Sequence, residues 1–136
     1  MESIKIFRLQ KRIIRIMMAC KKKNQSCREL FHKLGILSLP SQYIFCLLII
    51  LSKNKKQIIV NSEVHNYTTR QHTNFHPPSV SLTKCQKGIG YLGAKVFNKL
   101  PQCLKEEFDN PNKFKLSLKN YLSIKTFYSL QEYFEL

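Results

Sequence analysis

The apolar positions near the N-terminus recur with the period of an α-helix: they are Ile6, Leu9, Ile13, Ile16, Met17 and Cys20. Spacings of three and four residues place side chains on one face, so the segment from about Ile4 to Lys23 predicts a helix with a single apolar stripe. Basic residues repeat on another face of the same helix, and its last three residues continue the charge: Lys5, Arg8, Arg12, Arg15, Lys21, Lys22 and Lys23.

Two more helices are predicted in the N-terminal half. Ser26 and Glu29 form a capping-box pattern and Gly35 stands where a helix would end, which indicates a short second helix. A third helix is predicted from about Ser41 to Lys53. Because it contains the uninterrupted apolar run from Tyr43 to Leu51, we expect it to be almost wholly buried.

The middle of the chain predicts little regular structure. Gln57 to Val60 fits either a short strand or a continuation of the preceding helix, and both interpretations remain open. Residues 61–82 are rich in Asn, Ser, Thr and His and contain Pro77-Pro78. Such a composition favours a long surface loop.

Helical patterns return in the C-terminal half. The segment from Tyr91 to Leu100 is predicted to be helical. Asn110 is predicted to cap a further helix that has Pro111 at its first position, because proline lacks the N–H that is unpaired there anyway. The predicted buried stripe of that helix is Phe114, Leu118, Tyr121 and Leu122. Ser129 and Glu132 repeat the capping-box pattern before a last apolar segment.

These elements predict a mainly α protein, a small helical domain of about five or six helices with a long irregular central loop. The whole chain, 1–136, is predicted to form one helical region, with a basic helical half at about 1–60, the loop at 61–82 and a second helical half at 83–136. A chain of 136 residues with 43% hydrophobic residues suits one buried core better than two domains or disorder.

Charge adds the first functional information. There are 23 Lys and Arg residues against 8 Asp and Glu residues, giving a net charge of +15, so the expected partner is a polyanion or an anionic surface. Asp109 is the single aspartate. A two-metal polymerase or nuclease centre needs several convergent carboxylates, which this sequence does not supply. We therefore expect no enzyme activity, no metal and no cofactor.

The N-terminus and the cysteines indicate an intracellular protein, nuclear or cytoplasmic and not secreted. Bases interrupt any apolar signal core, and the run from Tyr43 to Leu51 is shorter than the roughly 20 residues that cross a bilayer. A mitochondrial targeting peptide fits the scarcity of acids in the first 28 residues, but the scarcity of serine disfavours it. The 5 cysteines include no Cys-x-x-Cys pair, so reduced thiols are expected.

Two motifs resemble ligand-binding sites, but a ligand is not the favoured interpretation of either. Residues 88–93 match the dinucleotide pattern Gly-x-Gly-x-x-Gly, but residues 81–87 are polar and basic where a buried strand is required. A loop-to-helix junction is the preferred interpretation. The histidines at 65, 72 and 76 share one loop, and solvated side chains are the expectation there rather than metal ligands.

The basic clusters remain as the strongest signal. Residues 1–35 carry ten bases and two acids, and phosphate contact is the favoured use of such an excess because each neutralised phosphate releases counterions. A merely solvated helix face is the competing interpretation. The candidate nucleic-acid-binding residues are Lys5, Arg8, Lys11, Arg12, Arg15, Lys21, Lys22, Lys23 and Arg70.

Several short strings occur in an order that resembles the segment following the polymerase core in non-LTR retrotransposon reverse transcriptases, especially jockey-like elements of animals. They are residues 9–16, 26–31, 34–44, 66–70, 86–88, 97–101, 114–115, 118–119 and 127–134. The resemblance implies a helical C-terminal region beside the polymerase thumb that grips template RNA or target DNA. The family's catalytic Tyr-Ala-Asp-Asp motif lies upstream of the similar part, so the resemblance transfers no catalytic residue.

The sequence thus favours a non-catalytic fragment of a reverse transcriptase that binds RNA or DNA through a basic N-terminal helix, without regard to sequence. Three alternatives stay open. The apolar stripe of the first helix would make the chain a protein-interaction or self-association module. The second alternative is an amphipathic anchor on an anionic membrane, although we do not expect a membrane partner. The last is a retroelement relic without a selected role.

Overall fold

The computed structural model describes residues 2–20, 26–54 and 89–136. Within those ranges it contains seven α-helices, one 3-10 turn and no strand, so the mainly α class is confirmed. The helices are α1 (Glu2–Met17), α2 (Arg28–Leu34), α3 (Leu39–Lys53), α4 (Ile89–Asn98), α5 (Gln102–Glu106), α6 (Pro111–Lys125) and α7 (Leu130–Phe134). The 3-10 turn, Glu107–Asp109, follows α5. The segment 57–60 and the predicted loop 61–82 lie outside the described residues.

Helix α1 ends six residues before the predicted boundary at Lys23, at Met17. Ala19 has a positive φ of 48°, and the Cys20 N–H donates to the Arg15 carbonyl at 2.9 Å. A left-handed residue followed by such a back-bond is a common way to satisfy the last carbonyls of a helix. Periodicity did not reveal this end because no glycine marks it.

The capping box predicted at Ser26 and Glu29 is wrong. The N-cap of α2 is Cys27, which makes no side-chain cap hydrogen bond, and its N–H donates to the Tyr128 hydroxyl at 3.1 Å. A hydroxyl 101 residues away thus binds this backbone group. The predicted stop at Gly35 is confirmed, since Gly35 adopts the left-handed conformation with a φ of 65°.

Helix α3 begins two residues earlier than predicted, and it is not almost wholly buried. One face is buried through Ile44, Leu47, Leu48 and Leu51. Tyr43 and Ile50 remain 45% and 41% exposed, and Cys46 is also exposed. A continuous apolar run does not show which side of a helix its neighbours cover, and this explains the error.

The chain divides into two compact units. The first consists of Met1–Phe45 together with Leu116–Leu136, and the second is Cys46–Lys115. Helices α3 and α6 each contribute residues to both. The sequence division at residues 60 and 83 stays a prediction.

One hydrophobic cluster of the first unit forms where α1 meets α2. It is built from Phe7, Ile14, Cys27, Leu30 and Phe31, which are at most 9% exposed. The partly buried residues around it are Met18, Cys20, Leu34, Ile36, Leu39 and Tyr128. Buried apolar side chains in contact are the main source of stability in a unit of this size.

Two buried serines fix the segment after α6 in the first unit. The Ser38 hydroxyl donates to the Phe127 carbonyl, and the Phe127 N–H donates to the Ser41 hydroxyl at 3.0 Å. Both polar groups of this buried backbone unit are therefore satisfied, as burial requires. Phe127 and Tyr133 then pack edge to face, with ring centroids 5.2 Å apart.

Helices α6 and α7 begin as predicted. Pro111 is the first residue of α6, and the Lys113 N–H approaches the Asn110 side-chain oxygen at 3.4 Å. The Ser129 hydroxyl accepts from the Glu132 N–H at 3.1 Å at the start of α7. The predicted stripe of α6 is confirmed for three side chains that are fully buried, Phe114, Leu118 and Leu122, whereas Tyr121 is half-buried.

Aromatic side chains hold the second unit together. The Phe108 ring lies between those of Phe97 and Phe114, at centroid distances of 4.8 and 5.1 Å and with edge-to-face geometry. Gly93 lies inside α4, and a Cβ atom placed there would meet the Leu51 side chain at 3.0 Å. Gly93 thus serves close packing within a helix that begins at Ile89, and Gly88 of the predicted loop-to-helix junction lies outside the described residues.

Candidate nucleic-acid interface

Helix α1 carries the candidate site, and it presents three faces. At about 100° per residue, Phe7 and Ile14 point to one side, the cations to a second and most of the aliphatic side chains to a third. Phe7 and Ile14 are the buried residues of the helix. The other two faces are therefore open to a partner.

The cationic face contains a row of three exposed side chains, Lys5, Arg8 and Arg12, called the basic row below. They fall within an arc of about 60° on the helix. The row extends about 10 Å along the helix axis, which matches the rise over about three steps between successive phosphates in one strand. Glu2 is the only acid in α1. The row therefore provides an almost unopposed positive surface.

Two predicted cations differ from the basic row because they are half-buried. The Lys11 ammonium lies 4.7 Å from the centroid of the Phe7 ring and 5.2 Å from that of Tyr128. A cation over aromatic faces is stabilised by the ring quadrupole, so Lys11 contributes to the first unit itself. Arg15 is also half-buried. The predicted residues Lys21, Lys22, Lys23 and Arg70 lie outside the described residues.

The third face of α1 consists of aliphatic side chains in solvent. Their exposed fractions are 52% for Ile6, 56% for Leu9, 55% for Ile13, 69% for Ile16 and 59% for Met17. This set, called the exposed apolar face below, is the stripe that sequence periodicity identified, apart from the half-buried Cys20. The stripe is real, but it is not the face that builds the core.

One constellation that sequence reasoning missed lies beside this helix, around Arg28. Its guanidinium nitrogens contact the two carboxylate oxygens of Glu132 at 2.6 and 3.1 Å, and one of them also donates to the Thr126 carbonyl at 2.7 Å. Its guanidinium carbon lies 4.0 Å from the centroid of the Tyr128 ring. In the sequence, the only signal for this constellation was Glu132 of the predicted capping box. Its carboxylate pairs with Arg28, which is 104 residues away.

These contacts change the protonation of both partners. The bond to Glu132 raises the pKa of Arg28, and the bond from Arg28 lowers the pKa of Glu132, which the Tyr128 N–H lowers further. Arg28 thereby fixes the start of α2 to the last turns of the chain. Its charge is neutralised locally, which makes it a poor ligand for phosphate.

The other candidate chemistries acquire no support from the geometry. Among the described residues no three His, Cys, Asp or Glu side chains are placed to hold a metal ion. His32 lies on α2 with its Nδ1 3.3 Å from the Ser123 hydroxyl, and Cys27 is fully buried in the core. Cys27 thus serves packing, and His32 makes a hydrogen bond to a residue 91 positions away. The histidines at 65, 72 and 76 lie outside the described residues.

Two further findings bear on the site. In the described part of the chain no single helix is long and apolar enough to cross a bilayer; only α2 and α3 taken together, bent by 54°, meet those two criteria. Comparisons with protein-family models, with curated proteins and with solved structures give no match. The geometry of α1 is therefore the structural basis for a functional proposal.

Proposed function

We propose that this protein binds RNA or DNA without regard to sequence, through the phosphate backbone and the basic row of α1. The observation that carries the proposal is the alignment of Lys5, Arg8 and Arg12, all exposed on one narrow face of a 16-residue helix. Cations at this spacing neutralise successive phosphates and release their counterions. No base-reading side chains are assigned, so discrimination between sequences is not expected.

The surroundings support this use of the basic row. The buried face of α1, anchored by Phe7 and Ile14, holds the helix on the first unit while the cations project into solvent. A row on a packed helix loses less conformational freedom on binding than the same residues on a disordered tail. The total charge of +15 would speed the encounter with a polyanion over a longer range.

The origin that we propose is the C-terminal region that follows the polymerase core in non-LTR retrotransposon reverse transcriptases. The ordered strings described above support it, and a helical region that grips nucleic acid is what that resemblance implies. On this proposal the chain has no catalytic activity of its own. A magnesium-dependent primer extension by the purified protein would refute that part.

The test is the salt dependence of binding to a fluorescent 20-nucleotide single-stranded RNA, measured by anisotropy between 50 and 200 mM salt. The test variant carries Lys5→Gln, Arg8→Gln and Arg12→Gln. Loss of three phosphate contacts should make the log–log salt slope less negative by about 2.1 for single strands, or by about 2.7 for duplex DNA.

The matched control removes three other exposed cations of the first unit, with Lys33→Gln, Lys119→Gln and Lys125→Gln. Both variants lose the same charge, so a general attraction between a basic protein and RNA would affect them equally. We expect the control slope to stay close to that of the wild type. Equal changes in the two slopes, or no binding by the wild type at 50 mM salt, would remove the proposal.

A second candidate function is a protein-interaction module. Ile13 and Ile16 of the exposed apolar face would be buried if the first unit used that face for its own core, but they are 55% and 69% exposed. An aliphatic surface of this kind on a folded unit marks an interaction site. This candidate does not depend on nucleic-acid binding.

A further inference from the structure

We infer that the exposed apolar face of α1 is a docking surface for an α-helix of another protein that carries acidic residues along one edge. The inference rests on the second candidate function and specifies the partner's chemistry. Its basis is the pattern of side chains on and beside the face. A partner of this kind would bury Ile6, Leu9, Ile13 and Ile16.

The spacing of these residues selects a helix as the partner. Ile6, Leu9, Ile13 and Ile16 follow one another at intervals of three, four and three residues, the a and d positions of two heptads. Side chains at these positions insert as knobs between the residues of a facing helix. The first heptad, with Ile6 at a and Leu9 at d, has the combination that favours pairing of two helices, whereas the second has Ile at both positions.

The first unit occupies part of one flank of the face, at Gln10, while Met17 at the next e position stays exposed. In the same heptads Gln10 occupies an e position, and its amide donates to the Leu37 carbonyl at 3.0 Å. Its side-chain oxygen accepts from the Leu39 N–H at 2.8 Å. Gln10 is thus committed to the fold, and it offers little to a partner helix.

The opposite flank carries the charge. Lys5 and Arg12 occupy the g positions, seven residues apart, and both are exposed. Residues at e and g pair across a two-helix interface and decide which partner is accepted. The facing edge of the partner should therefore carry glutamate or aspartate at the same interval of seven residues.

A second copy of this chain is a poor occupant by the same argument. In an antiparallel pair Lys5 and Arg12 of one copy would face Arg12 and Lys5 of the other, and like charges would meet. In a parallel pair they would face Gln10 and Met17, which provide no negative charge. The net charge of +15 on each copy adds to the repulsion.

The experiment uses the full chain and two synthetic helical peptides of three heptads. Both peptides have Ile at a and Leu at d; one has Glu at every e and g position, and the other has Lys there. Binding of the labelled peptides is followed by fluorescence anisotropy in 150 mM salt. We expect the Glu peptide to bind and the Lys peptide to bind at least about fivefold more weakly, the effect of two exposed ion pairs of ordinary strength.

Variants locate the surface. Leu9→Gln, Ile13→Gln and Ile16→Gln together should weaken binding of the Glu peptide about 100-fold, because the apolar contact is lost. The matched control is Leu116→Gln with Ile124→Gln, two residues of α6 that are 72% and 60% exposed, and it should bind like the wild type. Circular dichroism should show unchanged helix content in both variants, since all five side chains lie in solvent. Lys5→Gln with Arg12→Gln should remove the preference for the Glu peptide.

Other outcomes overturn the inference. Equal binding of the two peptides by the wild type would refute the charge argument, and binding of neither would refute the helix argument. Self-association in sedimentation equilibrium that the triple Gln variant abolishes, with no peptide binding, would identify a second copy as the occupant. Binding to anionic vesicles with the same dependence would identify a membrane. RNA binding is measured in parallel and should be unchanged in the variant with Leu9→Gln, Ile13→Gln and Ile16→Gln. A failure of the proposed nucleic-acid binding is thereby distinguishable from a failure of helix docking.

Discussion

Two adjacent isoleucines of α1 allow a direct test of how the helix is oriented. Ile14 is 2% exposed in the core of the first unit, whereas Ile13 is 55% exposed. Ile14→Ala removes three buried carbons, worth about 0.8 kcal/mol each, and leaves a cavity beside Phe7 and Phe31. The expected loss of unfolding free energy is about 3 kcal/mol, within the range of about 2 to 5 kcal/mol seen for such changes.

Ile13→Ala is the control, since it removes the same atoms from solvent. Alanine is the better helix former by roughly half a kcal/mol, so stability should change by no more than about 0.5 kcal/mol. Urea unfolding followed by far-ultraviolet circular dichroism measures both values, and thermal melting should show a drop of about 10 °C for Ile14→Ala. The two variants should unfold with the same urea dependence.

The result that would refute this orientation is equally clear. If Ile13→Ala destabilised the protein as much as Ile14→Ala or more, the exposed apolar face would be the buried one. The docking inference would then lose its basis. If neither variant shifted the urea midpoint, α1 would not be packed on the first unit.

Three further predictions concern the C-terminal segments and α2. Because the pKa of Glu132 is lowered in the folded protein, its bond with Arg28 stabilises the fold fully above the ordinary pKa of 4.5, and this stabilisation is lost as the pH falls through the lower folded value. The loss should be about 1 kcal/mol or less, because both side chains are over a third exposed. Urea midpoints measured between pH 7 and pH 3 should show a smaller loss of stability in acid for Glu132→Gln than for the wild type, and an unchanged pH profile would contradict the argument. Ser129→Ala removes the acceptor for the Glu132 N–H and should cost about 1 kcal/mol in urea unfolding, with the exposed Ser3→Ala as a neutral control. Gly35→Ala should cost about 1 kcal/mol through its φ of 65° alone, because a Cβ there meets nothing within 4 Å; a stabilised variant would show that the left-handed cap is not present.

The sequence predicted those parts of the fold that local chemistry decides. The start of α6 at Asn110 and Pro111, the cap of α7 at Ser129 and the stop at Gly35 each depend on residues within four positions of one another. Such signals survive in any tertiary context that leaves the helix end accessible. The class of the fold followed from these helices.

The orientation of α1 could not be predicted in the same way. Its sequence contains two apolar faces, the exposed one and a second that includes Phe7 and Ile14 and is continued by Met18 just after the helix. Periodicity finds the more populated face, but only the residues that pack against the helix determine which one is buried. Those residues, such as Phe31 and Tyr128, come from distant parts of the sequence.

The candidate site was predicted in part. Lys5, Arg8 and Arg12 are exposed as a binding surface requires, which charge and spacing already indicated. Lys11 was counted with them because a sequence does not show an aromatic ring placed beside a cation. The pairing of Arg28 with Glu132 was invisible for the same reason, since long-range contacts leave no local pattern.

The first unit is built from two segments that are far apart in the sequence, and this affects how the protein folds during its synthesis. Residues at its start meet residues at its end, as in the contacts of Cys27 with Tyr128 and of Arg28 with Glu132, which join positions 101 and 104 residues apart. A ribosome releases Phe7 and Phe31 long before it has synthesised the segment that covers them. The nascent chain therefore carries an incomplete core until Leu116–Leu136 has been synthesised, a period in which a chaperone or a bound polyanion would have the most effect on its yield.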